Sequence, residues 1–140
     1  EVRGADALPA HLLPAVPALW AGVLYDDAAL AGAEALIVEL DHDAVAAARP
    51  DIAARALGAE IAGRPVRDIA ERLVALADEG LARRARLDAE GRDERRHLAP
   101  IVAAVGRGEC PADALLKGID TAGSSSEALR DTIIQRTRMT

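Results

Sequence analysis

At 140 residues the chain has room for one domain with a genuine core. Its formal charge of −6 argues against a dedicated nucleic-acid binder, because the Lys and Arg residues are interleaved with acids rather than gathered into a phosphate-neutralising face. Every apolar stretch is broken by a charge within about a dozen residues, so neither a membrane-spanning helix nor a secretory leader is expected, and a single cysteine, Cys110, excludes an internal disulfide and a thiolate metal cluster.

These features point to a soluble protein of a reducing cytoplasm. With no Phe, one Trp and one Tyr, and abundant Ala, Leu and Arg, the composition is that of a mainly α chain.

The first residues alternate in character, which in a strand puts Glu1, Arg3 and Ala5 on one face and Val2 on the other. A chain that begins without Met on a charged, strand-like segment is expected to be the C-terminal piece of a larger protein. Pro9, Pro14 and Pro17 predict a loop over 7–17, and Pro17 can open a helix through Tyr25. Asp26 and Asp27 suit the cap of a helix over 27–40 whose apolar stripe is Leu30, Ala33, Ile37 and Leu40.

A short helix is expected over 42–48, stopped by Pro50, with another turn or two over 51–57 before Gly58. The strongest periodicity, Val66, Ile69, Ala70, Leu73, Ala77 and Leu81, predicts a helix over 65–87, with Arg83, Arg84 and Arg86 at its negative end. Residues 91–96 read as a charged linker. Helices over 98–105 and 111–116 follow, then a Ser-rich linker at 123–126 and a last amphipathic helix over 127–138.

Glu1 and Arg3 are the residues with chemical potential. A carboxylate and a guanidinium on one strand face suit Mg-ATP, since a hard divalent cation takes carboxylate and phosphate oxygens while the planar arginine fork matches a phosphate. By spacing alone, such a pair reads first as a cross-strand ion pair. Trp20 and Tyr25 read as core packing, and the Arg83 to Arg96 stretch as a solvated charged face. His11, His42 and His97 have no metal-binding spacing and read as loop or surface residues. Cys110 reads as a packing or surface residue.

The continuation changes the weight of that strand. Glu1-Val2-Arg3-Gly4-Ala5-Asp6, followed after a short loop by Leu13-Pro14-Ala15-Val16-Pro17-Ala18-Leu19-Trp20-Ala21-Gly22-Val23-Leu24-Tyr25-Asp26, resembles the C-terminal part of proteobacterial and plant-type glutamate–cysteine ligases. Gly63-Arg64-Pro65-Val66-Arg67-Asp68 with the helix through Gly80-Leu81, then Asp93-Glu94, Leu98-Ala99-Pro100, Gly106-Arg107 and Pro111-Ala112-Asp113-Ala114-Leu115-Leu116, follow in that family's order. The resemblance covers about residues 1–117.

It implies a glutamine-synthetase-like α+β ligase with an antiparallel sheet. This chain would supply an active-site strand of the catalytic domain at 1–6, a helical region at 7–117, and a linker with a tail helix at 118–140. It further implies ATP and Mg²⁺, with Glu1 a metal ligand, Arg3 a phosphate contact that is also catalytic, and Asp6 a weaker candidate for orienting Arg3.

The substrates implied are glutamate and cysteine, joined through a γ-glutamyl phosphate, with no nucleic acid or membrane involved. The chain by itself would be inactive, because the remaining ligands belong to other strands of the catalytic domain. Two alternatives stay open: a related carboxylate–amine ligase using another amine, and a non-catalytic helical interaction module. The basic run Arg95-Arg96-His97 and the tail after Lys117 depart from the family pattern.

Overall fold

A computed structural model describes residues 8–122 and 126–137. Seven α-helices follow in order among these residues: α1 (Ala15–Leu24), α2 (Asp27–Val38), α3 (His42–Arg55), α4 (Val66–Arg84), α5 (Ala99–Arg107), α6 (Pro111–Ala122) and α7 (Ser126–Thr137). A two-stranded antiparallel hairpin, β1 (Glu60–Ile61) and β2 (Arg64–Pro65), leads into α4. The mostly helical expectation therefore holds for the described residues, and the strand expected at residues 1–5 lies outside them.

Helix α4 is the central element. It packs on α1 and α2 on one side and on α5 and the hairpin elsewhere, while α6 and α7 pack chiefly on each other. The core is small-residue rich: Ala18, Val23, Ala33, Leu76, Ala77, Leu81 and Leu98 form one buried cluster. Leu81 and Leu98 are its fully buried large side chains, each contributing about 1.5–3 kcal/mol of apolar transfer.

Helices α1 and α4 meet backbone to backbone. A Cβ added to Gly22 would fall closer than 3.0 Å to the Ala77 carbonyl, and one added to Gly80 would do the same at the Gly22 carbonyl. Only glycine permits this approach, since any side chain would push the two helices apart.

Several elements differ from expectation, each for a physical reason. Helix α3 runs through Pro50 to Arg55 instead of stopping before it. Pro50 and Ala46, whose carbonyl loses its partner, are both exposed, so water can satisfy the orphaned group. The Arg55 guanidinium closes on the Asp51 carboxylate one turn back, tying down the far half.

The buried stripe of α2 is Ala29, Ala33 and Leu36: Ala33 is buried as expected, while Ala29 and Leu36 take the places expected of Leu30 and Ile37, and Ile37 is 62% exposed. The partner face explains the rotation. Ala29 sits against Gly80, and Gly32 against Leu76, so the smallest residues turn inward where α4 comes close.

Helix α4 ends at Arg84, short of Leu87, because Ala85 adopts the left-handed conformation at φ 48° and donates its N–H to the Leu81 carbonyl. The hairpin, absent from the sequence reading, turns on Ala62 and Gly63, both at positive φ, as a two-residue loop requires. Helix α6 continues past Gly118 to Ala122, so the boundary expected at 117/118 falls inside a helix.

Candidate functional site

The residues assigned to chemistry by sequence, Glu1, Arg3 and Asp6, lie outside the described residues. The motif stretches that gave them their meaning are within, and their geometry shows what each does.

In the Leu13–Asp26 stretch the inward positions Ala15, Ala18, Gly22 and Val23 are buried against α4. Trp20 is half-buried, in keeping with packing. Tyr25 is not core: it is 73% exposed, with the Arg84 guanidinium carbon 5.2 Å from its ring centroid. Tyr25 falls at the C-terminal cap of α1, where the ring leaves the packed face.

Asp26 has two structural duties. Its carboxylate caps α2 by accepting the Ala29 N–H at 2.8 Å, and it also accepts Arg83 Nε at 2.9 Å and Nη2 at 2.8 Å. The fork of Arg83, then the Ala29 N–H, holds its carboxyl down at about 2. This pin joins the first motif to the end of α4. The Gly63–Asp68 stretch is likewise structural: Arg64 reaches Glu39 at 2.8 Å, and Arg67 bridges Glu71 and the Gly106 carbonyl at the end of α5.

The segment after α4 is not an extended charged linker. Leu87 and Asp93 form an antiparallel bridge, the Asp88 N–H donates to the Arg92 carbonyl, and Gly91 closes the turn at φ 74°. Asp88 organises it. Its carboxylate accepts the Glu90 and Arg92 N–H groups at 3.0 and 2.8 Å, Arg92 Nε at 3.0 Å, and Arg96 Nη1. The Arg92 backbone N–H first, with the Arg96 and Arg92 side chains behind it, lowers its carboxyl to about 2.

Arg84 pairs with Glu94 at 3.0 Å and Arg95 with Asp78 at 2.5 Å, so most of the arginines read as solvated are in fact placed. Together these residues border an open cavity of about 180 Å³, lined by Arg86, Leu87, Asp88, Arg92, Glu94, Arg96 and His97. The signal in the sequence was Asp88-Ala89-Glu90-Gly91, an aspartate and a glycine at turn spacing.

Among the described residues no three His, Cys, Asp or Glu side chains converge as a metal group, and no helix is long and apolar enough to cross a membrane. His11 and His42 are exposed on separate elements. Cys110 is half-buried, and its backbone N–H donates to Asp113 Oδ2 at 2.7 Å, a reciprocal cap at the start of α6 beside Pro111.

Comparison with known proteins places the chain in a class. The profile described as glutamate-cysteine ligase family 2 (GCS2) matches residues 1–134, so the chain belongs to that family.

Among curated relatives, the chain is 31% identical over 121 residues to glutamate–cysteine ligase A, chloroplastic, of Oryza sativa subsp. indica, covering 86% of this chain and 23% of that protein. It is 34% identical over 122 residues to glutamate–cysteine ligase, chloroplastic, of Solanum lycopersicum, covering 84% of this chain and 21% of that protein. The namesake of Nicotiana tabacum is 31% identical over 117 residues, with 84% and 21% covered. The chain thus spans between a fifth and a quarter of the length of the relatives it matches. No solved structure matches.

Proposed function

We propose that this chain is the C-terminal part of an ATP-dependent glutamate–cysteine ligase, acting at the first step of thiol biosynthesis in the cytoplasm. The observation that carries the reading is the family match over residues 1–134, which includes Glu1-Val2-Arg3-Gly4-Ala5-Asp6.

In the proposed reaction a γ-carboxylate oxygen of glutamate attacks the terminal phosphorus of ATP and ADP departs. The cysteine amine then attacks the acyl carbon of the γ-glutamyl phosphate, and phosphate leaves. Arg3 is assigned the transferring phosphoryl group, because its planar fork stabilises charge that grows on the phosphate oxygens. Glu1 offers a hard carboxylate oxygen suited to Mg²⁺, whose charge would offset that of the phosphates when bound. The described residues do not complete such a ligand set. The other ligands, the nucleotide pocket and the amino-acid pockets are assigned to the part of the catalytic domain beyond this chain.

The test is phosphate release by the intact protein that carries this sequence. Release that requires glutamate and cysteine together supports the reading, and release with a different amine in place of cysteine would replace it with a related carboxylate–amine ligase. In the same protein Arg3→Ala should lower turnover at least about a hundredfold, the scale of removing one preorganised charge stabiliser. Wild-type turnover would reject the role given to Arg3.

A further inference from the structure

The cavity beside the Asp88 turn holds a charge imbalance. Three guanidinium groups, Arg86, Arg92 and Arg96, line it beside two carboxylates, Asp88 and Glu94. Arg84 is taken by Glu94, Arg92 by Asp88 and Glu90, and Arg96 by Asp88. Among the described residues Arg86 has no side-chain partner, and of the described arginines without one it is the one that lines a cavity.

The paired arginines also keep donors in reserve. A guanidinium carries five N–H groups; Arg92 spends its Nε and Nη2 on acids, and Arg96 its Nη1, leaving the others free for a ligand. Asp88 accepts two backbone N–H groups of the turn together with Arg92 Nε and Arg96 Nη1, so it acts as the post that holds these two side chains in place. His97, half-buried at the edge, adds a ring nitrogen.

We propose that this cavity binds a phosphate-type oxyanion, with Arg86 as its principal contact and Arg92 and Arg96 as donors fixed by Asp88. Phosphate is favoured over a monocarboxylate because three forks around one cavity can serve three or four oxygens, whereas a carboxylate offers two. The inference does not depend on the ligase reading.

The experiment is calorimetric titration of the intact protein with inorganic phosphate at constant ionic strength, without amino acids or nucleotide. Two variants accompany the wild type. Arg86→Gln should weaken binding at least tenfold; it breaks no contact among the described residues, so folding is preserved. Arg130→Gln, an exposed arginine in α7 outside the cavity lining, should leave this binding within twofold of wild type.

Acetate as titrant should bind at least tenfold more weakly than phosphate. Equal phosphate binding by Arg86→Gln and wild type overturns the proposal. No heat at millimolar phosphate overturns it as well.

Discussion

Gly80 and Asp88 are eight positions apart, yet the two places they occupy are held by opposite physics. The α1–α4 crossing at Gly22, Ala77 and Gly80 is backbone against backbone, with buried apolar neighbours. The turn at Asp88 is exposed, has little apolar burial, and depends on one carboxylate with four donors. Shape tolerates no added atom at the crossing, where the contacting groups at Gly22, Ala77 and Gly80 do not titrate. The turn tolerates volume but depends on charge state. The difference shows how one helix can be anchored tightly on one side while carrying a polar loop held by charge immediately after it.

The largest expected effect breaks the crossing's core: Leu81→Ala removes a fully buried side chain and should cost about 2–5 kcal/mol by urea denaturation, the range for a core leucine. Next, Gly80→Ala should destabilise by about 1–3 kcal/mol, because the overpacking penalty at the Gly22 carbonyl outweighs the helix propensity gained. An unchanged or raised midpoint would show that α1 can move away freely.

The turn is broken by acid. The folded carboxyl of Asp88 lies near 2, below its ordinary value of 3.8, so the stability it adds is complete above about pH 4 and disappears as pH falls toward 2. Asp26 and Glu109 behave in the same direction. The cause at Asp26 is first the Arg83 fork, and at Glu109 first Lys117 and then Arg107. Hydrogen exchange between pH 4 and 2 should therefore open amides 88–96 before those of the α1–α4 crossing. Asp88→Asn should remove most of that pH dependence at the turn, and simultaneous opening of both regions would contradict the contrast.

The smallest effect has the opposite sign. Gly106 lies in α5 with nothing near its would-be Cβ, so Gly106→Ala should raise stability by up to about 1 kcal/mol in the same urea assay that shows Gly80→Ala losing.

Much of the helical frame was legible. The Asp26 cap, the α4 periodicity and the start of α6 at Pro111 were each announced by local residue chemistry, and the family by its ordered motifs. The candidate chemistry at Glu1 and Arg3 was read through that resemblance, and both residues lie outside the described ones. The Asp88 turn was missed because the six arginines of 83–96 among acids look the same in sequence whether solvated or paired. Only the antiparallel return of 92–96 past 86–88 brings Arg92 and Arg96 to one carboxylate.

What the sequence by itself determined is which segments prefer helix and which family the chain resembles, since propensity, caps and motif order are local properties. Tertiary structure alone decided which face of α2 is buried, why Gly22 and Gly80 must lack side chains, and which of the arginines around the Asp88 turn is left without a partner. Those outcomes depend on what stands opposite each residue. A small rotation of α2, or a single close helix crossing, is set by the smallest residues, which a hydrophobic pattern weighs least.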